Sequence, residues 1–488
     1  MGAMVRAEVA ARIREVKRRA AYYASLGANP LSLAAGCAVK VDLERVVYPA
    51  MEMLRPVLAS CNIEIAERED ADVFAGDFGD LEVERVVLPL GAEAEPGAKV
   101  SRPARAAVLV QAHQMNSDDP AKFARLLEPA YRSLAKAAPR LRIGKGHSIV
   151  TPFRDDEFML ADLVAAGPGD ESIGINNDTM HVIDPTGDLL DPRQIRGAVL
   201  NAMNDLFVVG MHRGLTVLPV LNAPSEDVVE RMEREVAALA TELGGRAVEA
   251  PRPRRGRLLM GATVIARSDR RPPQFHDRVR PGMKLIATRP FGELAPITLY
   301  LTAVIDPTLA DELEAEGMSF EELERLKEDA VRVISTPNRA AAEVIERHLP
   351  YVGEEYDPDE HIAATTDVTG PGAYVVYELA KLTRSTIRLF DFPLLYPRAS
   401  ELAARHFAMP NATAGTNGGF IIVAPEAAAD DIVRELSARG YRPSVIGEVA
   451  SVGEARVVSD VDLSKYIFDE AVLRALGQVG GGGEVRQD

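Results

Sequence analysis

The sequence predicts an α+β protein built from two halves. Two series of alternating strands and helices follow each other along the chain, the first over about 151–270 and the second over about 271–460. A charged, proline-containing stretch from Arg267 to Arg280 separates the two series. Because 488 residues exceed what one ordinary core accommodates, two or more domains are expected.

In the first half, a short apolar strand is predicted from Ser172 to Ile175, ending at the polar run Asn176 to Asp178. Apolar side chains at helical spacing then predict a helix over Asp191–Val209. A strand, a helix and a further strand follow over 215–221, 228–243 and 258–266.

The second half repeats this pattern. Its predicted strands are 284–288, 419–424 and 444–449, and its predicted helices are 319–334, 338–349, 373–383 and 427–438. A polar turn, Thr365 to Gly370, lies between the second and third of these helices.

The remaining segments flank these halves. Residues 1–60 are predicted to hold an amphipathic helix over about 5–25, a loop containing Cys37 and Lys40, and an apolar helix that ends near Pro56. Residues 61–150 show mixed patterns and no clear functional signal. The tail, 461–488, is expected to be disordered from about 477, where a run of glycines begins shortly afterwards.

Composition excludes several classes of function. A formal charge of -17 argues against nonspecific binding to nucleic acid or to an anionic membrane. No segment approaches the ~20 apolar residues that a membrane-spanning helix requires. The 2 cysteines and the absence of an apolar leader favour a reducing, cytoplasmic location.

Several carboxylates stand at predicted strand ends and turns, where a scaffold can direct them at one point. They are Asp155, Asp156, Asp178, Asp205 and Asp367. Carboxylates from different elements can provide the hard oxygen ligands that Mg²⁺ with a triphosphate requires. By spacing alone, however, turn or capping roles explain Asp156 and Asp178 equally well.

The surrounding motifs resemble the selenophosphate synthetase family. Thr366-Asp367-Val368-Thr369-Gly370-Pro371-Gly372 resembles its Thr-Asp-Val-Thr-Gly-Phe-Gly signature, and Gly36-Cys37-Ala38-Val39-Lys40 its Gly-Cys-Gly-Cys-Lys loop. Arg154-Asp155-Asp156, Asn177-Asp178 and the run Asn201 to Phe207 are similar to three further family segments. Matches at 244–251, 280–285, 288–292 and 416–419 follow in the same order.

The resemblance implies a homodimeric enzyme of the aminoimidazole-ribonucleotide synthetase superfamily, with mixed sheets covered by helices. Such an enzyme is a phosphotransferase that converts ATP, water and a reduced selenium species into selenophosphate, AMP and phosphate. Mg²⁺ would be the metal, with K⁺ as a further candidate. In this interpretation 151–270 is the ATP-binding domain, 271–460 is the C-terminal domain and 61–150 is an insertion atypical of the family.

Carried over position by position, the resemblance also assigns site residues. Metal ligands would be Asp156, Asp205 and Asp367, and the nucleotide would contact Lys40, Arg154, Asp155, Asp178, Asn201, Asp205, Gly244, Gly245 and Arg246. Cys37 and Lys40 would be catalytic. An ammonium beside a triphosphate stabilises developing charge, and it would also lower the pKa of a neighbouring thiol.

The chain departs from the family on the acceptor side. Val39, Arg246, Glu249 and Asn417 replace family residues, and Asn176 and Asn177 replace the two threonines before the middle aspartate. The polar nucleotide and metal positions are retained: Asp156, Asp178, Asn201, Asp205 and Asp367. Thiophosphate is therefore an alternative product. Two other functions stay open: an ATP-dependent enzyme that activates an amide or carbamoyl group, and a nucleotide-binding regulator without catalysis.

Overall fold

The computed structural model describes residues 2–25, 48–60, 63–66, 121, 141–144, 149–153, 156–160, 164–166 and most of 172–478. Within the last range the gaps are 181, 185, 222, 224, 249–257, 259, 371, 407, 409–417 and 468–469. Within these described parts, no helix is both long and apolar enough to cross a bilayer.

Both halves contain helices together with strands in mixed sheets, and this confirms the α+β class. The helices are α1 (Gly2–Ser25), α2 (Tyr48–Ser60), α3 (Pro192–Phe207), α4 (Glu226–Glu242), α5 (Leu294–Ile305), α6 (Pro307–Ala315), α7 (Phe320–Ile334), α8 (Arg339–Arg347), α9 (Val375–Thr383), α10 (Pro397–Arg405), α11 (Glu426–Ala438) and α12 (Glu470–Ala475). Short 3-10 turns cover His276–Arg278 and Gly372–Tyr374.

The described strands form three sheets. The strands are β1 (Ile63–Ala66), β2 (Leu141–Gly144), β3 (Ile149–Phe153), β4 (Asp156–Leu160), β5 (Val164–Ala166), β6 (Ser172–Met180), β7 (Arg213–Pro219), β8 (Arg246–Ala247), β9 (Met260–Ser268), β10 (Lys284–Ala287), β11 (Ala364–Asp367), β12 (Ser385–Leu389), β13 (Phe420–Ala424), β14 (Ser444–Val452) and β15 (Arg456–Ser459). Their orders are β1-β2-β3-β4, β5-β6-β9-β7-β8 and β11-β13-β10-β14-β12-β15.

The two larger sheets are mixed but mostly antiparallel. In the five-stranded sheet, β6 and β7 both pair antiparallel with β9, and β7 pairs parallel with β8. In the six-stranded sheet, β10 pairs antiparallel with β13 and β14, and β12 pairs parallel with β15.

Two helices show why their residues form these elements. Asp191 caps α3 by accepting the backbone N–H of Arg193 at 2.9 Å, and Pro192 occupies the first turn, where its missing N–H costs nothing. Ser319 caps α7 by accepting from Glu322 N at 3.1 Å. Side chains such as Phe320 and Leu323 then bury the apolar face of α7.

Three buried clusters form the core. One joins α3, α4 and the five-stranded sheet to α8, α11 and part of the six-stranded sheet, so this cluster spans both halves. A second lies between α9 and the other face of the six-stranded sheet. The third packs α5 against α7, α10 and α1. Helix α3 is therefore held from both halves.

Two sequence predictions about element ends are wrong. The strand predicted to stop at Ile175 continues to Met180, because β9 pairs with it along the whole length, including Asn176 with Val264 and Asp178 with Ala262. Helix α2 runs past Pro56 to Ser60. The candidate site residues of β6 thus lie within a paired strand and not in a turn.

Candidate functional site

Four predicted or neighbouring polar residues meet where α3 packs on β6. Asn176 and Asp178 are two residues apart in a strand and share one face, while Asn201 and Asp205 are four apart in a helix and share one face. The Nδ2 of Asn176 donates to Asp205 Oδ2, and the Nδ2 of Asn201 donates to Asp178 Oδ2. We call these four residues the Asn–Asp cluster.

The Asn–Asp cluster is buried on its amide side and half-exposed on its acidic side. Asn176 and Asn201 are 5% and 7% exposed, whereas Asp178 and Asp205 are of intermediate exposure. Asn176 also donates to Ala202 O at 3.0 Å, which fixes its side chain against α3. An amide nitrogen positions a carboxylate oxygen but brings no net charge of its own.

The oxygen atoms of the cluster fit a hard divalent cation. The buried Oδ1 of Asn201 has no hydrogen-bond partner among the residues that the structure describes, and the Nδ2 of the same amide donates to Asp178. Mg²⁺ is commonly held by one or two carboxylates, with phosphate and water completing its shell. Among the described residues, no group of three or more His, Cys, Asp or Glu could hold a metal without such help.

Asp367 lies on a strand that is tied to the same helix. The hydroxyl of Thr365 donates to Val208 O at 2.7 Å, directly beyond the end of α3. Thr365 and Asp367 are two apart on β11 and therefore share a face. Asp367 pairs with Phe420 at the end of the strand, and Val368 N donates to Gly419 O at 2.7 Å. The face of β11 that carries Asp367 is thus the face that contacts the end of α3.

Gly244, Gly245 and Arg246 lie at a different place, where α4 ends. The N–H groups of Gly244 and Gly245 donate to carbonyls of the last turn of α4, and Arg246 is exposed on β8, its Nε 3.5 Å from Thr216 Oγ1. Gly245 has a packing requirement, since a Cβ there would lie 2.6 Å from Leu215. No described hydrogen bond joins these three residues to the Asn–Asp cluster.

Other predicted site residues lie outside the described part of the chain. They are Cys37, Lys40, Arg154 and Asp155. Asp156 begins β4 and pairs with Phe153, but the structure describes only the backbone of this residue. The roles assigned to these five residues stay predictions.

Three buried asparagines escaped the sequence analysis as site residues. Asn176 was missed because the strand was predicted to end at Ile175; once the strand includes both residues, the spacing of two puts Asn176 on the face of Asp178. Asn204 and Asn338 could not, because their relevance comes from a contact between the two halves: Asn338 Nδ2 donates to Asn204 Oδ1 at 3.1 Å.

Comparison with known proteins agrees with the motif resemblance. No protein-family model matches the chain. The chain is 24% identical over 324 residues to a selenide, water dikinase from Methanocaldococcus jannaschii, and this match covers 63% of the chain and 88% of the relative. The chain is divergent but selenophosphate synthetase-like.

Solved structures similar to this selenophosphate synthetase-like chain include two other kinds of protein. The hydrogenase maturation protein HypE in complex with ATP is 18% identical with a TM-score of 0.40, over 61% of this chain and 83% of that one. A thiamine monophosphate kinase from Aquifex aeolicus is 15% identical with a TM-score of 0.40, over 61% and 90%. At these TM-scores the likeness carries no functional conclusion.

Proposed function

We propose that the chain is an ATP-dependent, Mg²⁺-requiring phosphotransferase that makes selenophosphate, or its analogue thiophosphate, from a reduced selenium or sulfur species. The observation that carries the proposal is the Asn–Asp cluster between β6 and α3, where two amides each donate to a carboxylate and one buried amide oxygen has no described partner. The sequence similarity to a selenide, water dikinase supports the choice of substrate.

The protein's own groups would act by position and charge. Asp178 and Asp205 would hold the cation, Asn201 would add its Oδ1, and Asn176 would keep Asp205 in place. Asp367 would approach from β11, on the face whose Thr365 contacts the end of α3. The bound cation would neutralise phosphate oxygens as charge develops on them. Because amides and carboxylates hold this site, it selects a hard cation over a soft one.

Cys37 and Lys40 would complete the site from the N-terminal segment. A thiolate is soft and suits a selenium or sulfur species, and the ammonium of Lys40 suits the terminal phosphates. Asp156 would supply a further carboxylate. These assignments rest on the family motifs that surround the residues, and the homodimer and cytoplasmic location are proposed on the same basis.

Phosphorus NMR of the products tests the proposal. Purified protein is incubated with ATP and Mg²⁺, in turn with selenide, with sulfide and with neither. We expect AMP, phosphate and a new phosphorus resonance with one of the two acceptors. Formation of ADP without a chalcogen product would indicate activation of another acceptor, such as an amide. Binding of ATP without any turnover would indicate a regulator.

A matched variant separates catalysis from binding. Cys37→Ala is expected to abolish the chalcogen product while ATP binding is retained, because the thiol would handle the acceptor and not the nucleotide. Cys61→Ala is the control, since Cys61 has no family motif around it. Equal product formation by both variants would contradict the role of Cys37.

A further inference from the structure

A buried contact between the two halves includes Asn204, the chain neighbour of Asp205. The Nδ2 of Asn338 donates both to Asn204 Oδ1 at 3.1 Å and to Gly418 O at 2.8 Å. Asn338 precedes α8 and is 5% exposed, and Asn204 on α3 is 1% exposed. The hydroxyl of Tyr441 lies 3.4 Å from Asn338 Oδ1 on the other side. One amide therefore bridges α3, the start of α8 and the segment before β13.

Both ends of this bridge continue into proposed ligands. Asn204 immediately precedes Asp205 on α3. Gly418 leads into Gly419 and Phe420, which bind the segment of Asp367 through Val368 N and the β11–β13 pairing. The bridge thus connects the helix of Asp205 to the strand of Asp367.

The geometry at Gly418 shows that this contact is tight. Its φ is +87°, and a Cβ added there would lie 2.5 Å from the Nδ2 atoms of both Asn204 and Asn338. Glycine is therefore required both by its backbone conformation and by the close approach of two side chains. Small errors in the placement of this loop cannot be absorbed locally, because all three groups are in direct contact.

We propose that Asn338 is a positioning residue that sets the separation of Asp205 and Asp367 for Mg²⁺ and phosphate. The inference rests on the proposed function, because it assigns Asn338 a role at the same site. Asn338 acts through Asn204 and Gly418 and touches neither the nucleotide nor the metal. Loss of its donor leaves the Gly418 carbonyl and the Asn204 amide oxygen without this shared partner, so the two halves of the site lose their fixed spacing.

The test measures ATP binding by calorimetry over a series of Mg²⁺ concentrations. For Asn338→Ala and Asn204→Ala we expect the half-saturating Mg²⁺ concentration to rise about 10-fold, as for other residues that orient metal ligands. The double variant should be shifted no further than the single ones, because both changes remove one bridge.

A matched control lies on the same helix. Gln194 is a buried amide, 2% exposed, which accepts from Ile183 N and Asp184 N and donates to Asp184 O at 2.7 Å. Gln194→Ala should leave the Mg²⁺ dependence unchanged while it lowers stability. An equal shift in all three single variants, or no shift in the two asparagine variants, would overturn the proposal.

Hydrogen exchange provides a readout that does not depend on ATP. In Asn338→Ala, faster exchange is expected in peptides containing Val368 and Phe420, but not in peptides of β7. Unchanged exchange in the peptides containing Val368 and Phe420 overturns the proposed bridge, whatever the result of the ATP-binding measurement. If wild-type protein fails to bind ATP with Mg²⁺, the proposed function is rejected by that result, and the exchange data alone then decide whether the bridge exists.

Discussion

The acidic side chains near the two ends of α3 have different kinds of partner. At its N-terminal end, Lys327 Nζ binds Asp184 at 2.9 Å and Glu328 at 2.6 Å, and Arg193 binds Asp191 at 2.6 Å and Glu328 at 2.9 Å. In its C-terminal half, asparagine amides hold Asp178 and Asp205. The described partners are cations at the first end, whereas within the Asn–Asp cluster they are neutral amides. We infer that the first end stabilises the fold and that the second is prepared for a cation.

Burial sharpens this contrast. The side chains of Lys327 and Asp184 are 4% and 5% exposed. Burial alone would lower the pKa of Lys327, but the charge of Asp184 and hydrogen bonds to Glu328 and Asp184 raise it above its ordinary value. Lys327 is therefore a charged structural residue, and it also lies 5.1 Å from the ring centre of Tyr300.

The largest expected effect is on stability, at the ion-paired end. Lys327→Met leaves the buried carboxylate of Asp184 without this cation and should lower the free energy of unfolding by about 3–5 kcal/mol. Urea unfolding at neutral pH measures it. Affinity for ATP with Mg²⁺ should stay the same under conditions where the variant is folded; a large loss of affinity would contradict the division between the two ends.

The next effect is on ligand binding, at the other end. Asp205→Asn keeps the size of the side chain and an oxygen for Asn176, but removes the charge. We expect Mg²⁺-dependent ATP affinity to fall about 100-fold, equivalent to about 3 kcal/mol, with little change in stability. Calorimetry measures the affinity. Asp188→Asn is the control, because Asp188 is exposed and its side chain accepts only from Leu190 N among its described contacts.

A second set of ion pairs, around Glu346, predicts that the stability of the protein depends on pH. Glu346 accepts from Ser268 Oγ at 2.8 Å and binds His212 and Arg213 at 2.9 Å each. Burial would raise the pKa of Glu346, but the hydrogen bonds from His212, Ser268 and Arg213 outweigh it and lower the pKa to about 2.

The sign of this effect follows from the depressed pKa. The stability that Glu346 contributes is fully present above its ordinary pKa of 4.5 and is lost as the pH falls from there towards about 2. Glu346→Gln should therefore remove about 2–3 kcal/mol at neutral pH and little at pH 2. Urea unfolding at a series of pH values checks this. Parallel curves of unfolding free energy against pH for wild type and variant would contradict it.

The smallest effect is expected at an exposed pair. Glu242 binds Arg196 at 2.7 Å, and its side chain is 50% exposed. Solvent screens such a pair, so Glu242→Gln should change the free energy of unfolding by less than about 1 kcal/mol. A thermal unfolding scan beside Glu346→Gln makes the comparison; a loss as large as that of the buried variant would show that exposure does not separate the two.

Regular elements of the chain were predictable wherever the sequence carried a clear period. Helix α7 was predicted over 319–334 and covers Phe320–Ile334, with Ser319 as its cap. Helix α5 was missed because it is apolar on nearly every side, so it has no amphipathic period; Ala295, Ile297 and Leu299 are all buried. Strand β12 and helix α10 were also not predicted.

The candidate site was likewise predictable only in part. Asp178, Asn201 and Asp205 were selected by their motifs, and the structure brings them together. The extended course of β6 through Asn176 and Asp178 was not predicted, because these residues favour turns locally and only pairing with β9 keeps them in a strand. The bridge from Asn338 to Gly418 joins residues 80 positions apart, and no local pattern reports such a contact.

Binding of Mn²⁺ tests the central claim most directly. Mn²⁺ prefers the same oxygen ligands as Mg²⁺ and is visible by electron paramagnetic resonance. With ATP present, wild-type protein should bind Mn²⁺, and a variant carrying both Asp178→Asn and Asp205→Asn should leave the Mn²⁺–ATP complex unbound in solution while remaining folded. Equal binding of Mn²⁺ and ATP by wild type and this variant would show that the cation site lies elsewhere and that the Asn–Asp cluster is structural.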